Sequence, residues 1–140
     1  MSRILAIDYG RKRTGLAVTD PAQMIASPLE TIATAELPSW LDEYFRKEQV
    51  ETVVIGMPRR MNNQPSESYT YIEPFIRMFR KRFPQVDLQT FDERFTSVLA
   101  HRAMIEGGMK RKQRQDKTVV DKIAACIILE DYLNNRLVNI

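Results

Sequence analysis

The chain is predicted to be an α/β protein built on a mixed five-stranded sheet with helices on both faces. Short apolar runs alternate with longer stretches of helical periodicity, the first two runs are close enough to pair as a hairpin, and the later ones are far enough apart for helical crossovers. With 140 residues, 44% of them apolar, one core can stand without disulfides or structural metal, so residues 1–140 are expected to form a single domain.

Residues 3–8 are an apolar run suited to a buried strand. Residues 14–19 alternate well enough to return beside it, across a turn containing Gly10. A third strand is expected over 26–34. Over 37–47, Leu37, Trp40, Leu41, Tyr44 and Phe45 recur at helical intervals. The β-branched run at 52–55 follows as a strand, expected to stop at Gly56 and Pro58. Residues 57–68 are polar and read as a loop. A helix then reaches about Phe83, either capped by Thr70 with Glu73 as its reciprocal partner or starting earlier at Ser66 and kinked at Pro74. Residues 87–91 give the fifth strand. A helix over 97–106 is closed by Gly107 and Gly108, and the last helix runs from Val119 to about Leu137. The order βββαβαβαα suits a sheet with an antiparallel hairpin side and parallel strands beyond it.

Composition removes several function classes. The single cysteine, Cys126, excludes an internal disulfide and any multi-cysteine zinc site. No apolar stretch is long enough to span a bilayer, and the chain moves straight into a strand-like run without a leader, so a cytoplasmic protein with no membrane partner is expected. A net charge of +3 says little by itself, and the clustering of charge must identify the partner.

Three carboxylates stand at element ends. Asp8 closes the first strand, where ligands of open α/β sheets gather, although an Asx-type turn at Tyr9-Gly10 would use the same residue. Glu93 follows the fifth strand; the alternative is a surface Asp-Glu-Arg turn with a local ion pair. Asp121 heads a helical stripe with Ala124, Ala125 and Ile128 that can approach the sheet closely, and it can equally serve as a capping acid at the third helical position. Oxygen-only ligands select hard ions, Mg²⁺ or Mn²⁺. Two such ions roughly 4 Å apart support in-line phosphoryl displacement without a nucleophilic side chain. His101 and Cys126 are accordingly read as a surface and a core residue.

Three basic runs adjoin these elements: Arg11, Lys12 and Arg13 beside Asp8; Arg59 and Arg60 after the fourth strand; and Lys110, Arg111, Lys112, Arg114 and Lys117 before Asp121. Converging near the acids, they would bind a phosphate backbone with little regard to sequence. The Arg77, Arg80, Lys81 and Arg82 set is read as a solvated face.

Ile7-Asp8-Tyr9-Gly10 with Arg13-Thr14-Gly15-Leu16-Ala17-Val18, then Val54-Ile55-Gly56-Met57-Pro58, then Asp92-Glu93-Arg94-Phe95-Thr96-Ser97, then Lys110-Arg111-Lys112 and Val120-Asp121-Lys122-Ile123-Ala124-Ala125 resemble, in order, the bacterial YqgF/RuvX family, Holliday junction resolvase-like proteins also described as pre-16S rRNA nucleases. The resemblance implies a ribonuclease H-like fold and a magnesium- or manganese-dependent nuclease maturing the 5′ end of small-subunit ribosomal RNA. Its acidic triad falls on Asp8, Glu93 and Asp121; Arg13, Arg94 and the 110–117 loop are expected to position phosphates. Two departures stand out: the loop after Pro58 lacks the family's Asp-Gly pair, and Ala124 and Ala125 stand where junction resolvases carry a second carboxylate. The expected partner is structured RNA, pre-16S rRNA above all, with branched DNA as the alternative and a monomer or weak homodimer as the working form. A junction resolvase and a non-catalytic RNA-binding or transcription factor are the competing readings. A two-domain actin-like kinase does not fit the length.

Overall fold

A computed structural model of the chain describes residues 2–57, 69–92 and 117–138. β1 (Arg3–Tyr9) and β2 (Arg13–Thr19) form the antiparallel hairpin, with Asp8 opposite Gly15 and Tyr9 opposite Thr14. β3 (Ala26–Ala33) returns antiparallel along β2. β4 (Val50–Met57) and β5 (Asp87–Asp92) lie parallel beyond β1, giving the order β3-β2-β1-β4-β5. The mixed five-stranded sheet and its division into antiparallel and parallel sides are as the sequence predicts.

Three α-helices are seen among the described residues: α1 (Leu37–Lys47), α2 (Tyr69–Arg82) and α3 (Lys117–Val138). Strand alternation assigns them to faces. Leu5 and Ile7 point to one side, where Leu16, Val53 and Ile55 join Leu37 and Leu41 of α1 and Ile72, Phe75 and Phe79 of α2. Ile4 and Ala6 point to the other side and, with Ala17 and Val54, meet Ala125, Ile128 and Leu129 of α3. Large fully buried side chains such as Phe79, Leu41 and Ile128 each contribute about 1.5–3 kcal/mol of hydrophobic stabilisation. The faces differ in grain. Rings pack together under α1 and α2, with Phe45 edge-on to Phe83 at 4.9 Å, whereas alanines floor the α3 side and let that helix lie close to the sheet.

Several boundaries differ from the sequence reading. Gly56 does not stop β4: it pairs with Phe91 and the strand runs on to Met57, because parallel partners on β5 supply the ladder that intrinsic propensity undervalues. Thr70 does not cap α2; it lies inside the helix, which also takes Pro74 within it. α3 is already helical at Lys117, two residues before the expected start, which places Asp121 inside the helix and out of the capping position. The expected loop over 58–68 and helix over 97–106 lie outside the described residues. No helix among the described residues is long and apolar enough to cross a membrane.

Candidate active site

Asp8 shares the side of β1 that carries Ile4 and Ala6, so its carboxylate is directed to the α3 face near the carboxyl end of the strand. Directly across the hairpin is Gly15. Nothing larger would fit there. A Cβ at Gly15 would stand 2.1 Å from the backbone oxygen of Asp121 and 2.4 Å from its carbonyl carbon. The bare backbone at Gly15 is what lets the first turns of α3 rest on the sheet, and that contact brings Asp121 to Asp8.

The electrostatics record the encounter. Burial, and after it the like charge of Asp121, push the Asp8 carboxyl from its ordinary 3.8 up to about 7. Asp121 has a counter-charge of its own: Arg13 Nε donates to its Oδ2 at 3.0 Å, and the two side chains are 39% and 23% exposed, so the pair is too wet to be ranked as a large stability term. Its value is positional, since it joins the start of β2 to α3 and fixes one carboxylate oxygen of Asp121.

The turn between β1 and β2 is clamped from a third element. The Thr34 hydroxyl donates to the Gly10 carbonyl at 2.6 Å, the Thr34 amide donates to the Lys12 carbonyl at 2.9 Å, and the buried Thr14 and Thr34 hydroxyls are 2.8 Å apart. Gly10 is required here too, because a Cβ would lie 2.3 Å from the Arg13 carbonyl oxygen. Asp8 and Arg13 thus flank a turn with little freedom to splay.

Of the residues singled out by sequence, the structure brings together Asp8, Asp121 and Arg13. Arg11 and Lys12 are exposed on the turn, with the Arg11 guanidinium 5.5 Å from the centroid of the Tyr71 ring. Lys117 opens α3. Glu93 comes immediately after Asp92, the last residue of β5; like Arg59, Arg60, Arg94, Lys110, Arg111, Lys112 and Arg114, and like His101, it lies outside the described residues. Cys126 is buried in the α3-side core, and burial together with Glu130, to whose Oε1 its thiol donates a hydrogen bond at 3.7 Å, pushes its thiol up to about 12, which suits a core residue. Sequence reasoning missed the parts played by Gly15 and Thr34. Their signals were faint: a glycine inside an otherwise alternating strand, and a threonine just past the end of another.

The donor set fits a hard divalent cation. Two carboxylates held together, one of them paying for its burial with a raised pKa, form a site that a cation would relieve of both repulsion and desolvation. Among the described residues no group of three His, Cys, Asp or Glu side chains is assembled. A third ligand would have to come from a residue beyond them.

Comparison with known proteins agrees with this architecture. The T. thermophilus RuvC in complex with Holliday junction substrate superposes with a TM-score of 0.58 at 15% identity, over 98% of this chain and 96% of that one, a likeness of fold that identifies the sheet and its helices as ribonuclease H-like. A protein of Bacteroides thetaiotaomicron named "Putative pre-16S rRNA nuclease" is 55% identical over 136 residues, covering 97% of this chain and 99% of the relative. One of the same name from Flavobacterium psychrophilum is 52% identical over 137 residues, covering 98% of this chain and 100% of the relative. The family model RuvX, described as Holliday junction resolvase, matches residues 2–135, and the chain belongs to that family.

Proposed function

We propose that this chain is a nuclease that hydrolyses phosphodiesters of precursor 16S ribosomal RNA in the maturation of its 5′ end. Asp8, Glu93 and Asp121 form the acidic triad, with Mg²⁺ or Mn²⁺ as the working ion. The observation that carries the reading is the convergence of Asp8 and Asp121 at the carboxyl end of β1, with the Asp8 carboxyl raised to about 7 by burial and by its neighbour. The names borne by close full-length relatives support the substrate. In the sequence Glu93 directly follows β5, whose Phe91 packs against the α3-side core.

In this reading Asp8, Asp121 and Glu93 would be the carboxylates that hold the divalent ion. The ion, when bound, would polarise the scissile phosphate and acidify a water for in-line attack. Arg13 holds Asp121 through Nε, leaving the terminal nitrogens of its guanidinium for a phosphate oxygen. Arg11, Lys12, Arg59, Arg60, Arg94 and the basic residues from Lys110 to Lys117 supply backbone contacts. The protein works in the cytoplasm as a monomer or weak homodimer, without a membrane partner.

Side-by-side cleavage of precursor ribosomal RNA and of a four-way DNA junction, with Mg²⁺, Mn²⁺ or chelator, tests this. Metal-dependent cutting of the RNA is expected, with little activity in Ca²⁺, whose larger size and looser geometry suit the arrangement poorly. Undiminished cutting after exhaustive chelation would remove the metal mechanism. A second reading, junction resolution, is favoured by the likeness to a RuvC bound to a junction and by the family's description. Symmetric strand cutting needs two sites, so a strictly monomeric protein that leaves the junction intact counts against it. A third, non-catalytic RNA binding, predicts that RNA binds tightly and is never cut.

Arg13 offers a sharper check. Arg13→Lys keeps the charge but loses the planar Nε donor, and should lower kcat by about 10–100-fold while shifting the Mg²⁺ midpoint upward, as for a residue that orients a metal ligand. A change in KM alone, with kcat and the metal midpoint unmoved, would reassign Arg13 to substrate binding.

A further inference from the structure

The basic set on α2 divides into paired and unpaired members. Ile72, Phe75, Ile76 and Phe79 turn to the core, and on the opposite ridge stand Arg77 and Lys81, one turn apart, with Arg80 beside them. All three are exposed. Neighbouring cations on this side of the molecule have carboxylate partners: Arg82 with Asp42, Arg46 and Lys47 with Glu43, Arg3 with Glu48. Arg77, Arg80 and Lys81 have none among the described residues.

Two further observations give the ridge a direction and a shape. Arg77 and Lys81, with Met78 and Arg82, line an open groove of about 590 Å³. At the other end of the helix Arg11 sits over Tyr71, on the turn that follows Asp8. Tyr71 and Lys81 are about 15 Å apart along the helix axis, so Arg11 stands near one end of α2 and Arg77, Arg80 and Lys81 towards the other, with the exposed Glu73 between them.

We infer that this ridge is a second nucleic-acid contact, on which the backbone of a substrate whose scissile phosphate lies at the acid pair crosses the turn at Arg11 and continues along α2 over Arg77, Arg80 and Lys81. The inference rests on the proposed nuclease reading and extends it to the substrate: an RNA long enough to leave the site and follow the helix. Unpaired guanidinium and ammonium groups bind phosphates without reading bases, releasing counterions as they do. An anionic membrane is the other polyanion such a ridge would suit, but the apolar face a surface helix inserts into lipid is here buried in the core.

The triple variant Arg77→Gln, Arg80→Gln, Lys81→Gln tests it. Binding is measured in chelator, where nothing is cut, against a long precursor-RNA hairpin and against a single strand too short to reach α2. For the long RNA the slope of log affinity against log salt should flatten by about 2–3, one counterion per lost cation, while the short strand binds as it does to the wild type. Equal slopes for the long RNA overturn the inference. So does a defect seen only on phosphatidylserine vesicles, which would make the ridge a membrane contact, and so does equal weakening on both RNAs, which would mean a general loss of charge. The melting temperature should not move. Because binding is read without turnover, a protein that fails to cleave RNA would refute the nuclease reading and leave this measurement interpretable.

Discussion

Asp8→Asn should abolish metal-dependent cleavage and, at alkaline pH, make the protein more stable. The first effect follows from the charge: an amide cannot replace the carboxylate as an anionic ligand, and a loss of at least about 10²–10³-fold is expected. The second follows from the environment. Burial and Asp121 raise the Asp8 carboxyl from 3.8 to about 7, so the folded protein holds this proton more tightly than the unfolded chain does. The stability this contributes is fully present below about pH 4, falls away between about 4 and 7, and is absent above, where the folded state bears the buried charge. Asparagine carries no such charge. The variant should therefore melt several degrees above the wild type at pH 8, and the gap should close as pH falls towards 4. Divalent ion added to the wild type should close it from the other side, by binding the folded state. Thermal denaturation from pH 4 to 8, with and without Mg²⁺, measures all of this. Coincident melting curves at pH 8 would mean that the Asp8 carboxylate is compensated in the free protein, and the case for a cation-demanding site would fall with it.

The sheet was legible in the sequence because its signals are local. The alternation of β2, the β-branched run in β4 and the helical spacing of Leu37, Leu41 and Tyr44 each fall within one element, and their order specifies antiparallel strands followed by parallel ones. The element ends were less legible. Gly56 reads as a stop on its own and is held in β4 only by Phe91 of β5, a partner that periodicity in one segment cannot reveal. Asp121 at the end of Thr118-Val119-Val120 reads as a cap until the helix is seen to include Lys117. Candidate acids could be nominated because three carboxylates fall at predicted element ends with basic runs beside them. Their assembly could not, since the Arg13–Asp121 pair joins residues 108 positions apart and the clearance at Gly15 exists only once α3 has docked. Glu93 and most of the basic loop residues lie beyond the described residues.

Gly15→Ala should damage the site without touching a single titratable group. The added methyl would meet the Asp121 carbonyl, 2.1 Å from its oxygen, and both the strand and the helix are backbone at that point, so no flexible side chain can swing aside. α3 must lift or the hairpin must bend. Forced overpacking of this kind costs about 1–3 kcal/mol, and a displacement on the order of 1 Å at reacting groups is enough to cost about 10²-fold in rate. Activity should fall further than stability. The signature of the mechanism lies in Asp8: with Asp121 moved off, the like-charge contribution to its raised pKa weakens, so its carboxyl should titrate lower in the variant than in the wild type, as followed by NMR of the side-chain carboxyl carbon. The Arg13–Asp121 bond should lengthen in the same variant, making Arg13→Lys nearly silent on that background, since the interaction it would remove is already lost. Wild-type turnover with an unmoved Asp8 titration would show that α3 tolerates the methyl, and Gly15 would lose its part in bringing the two acids together.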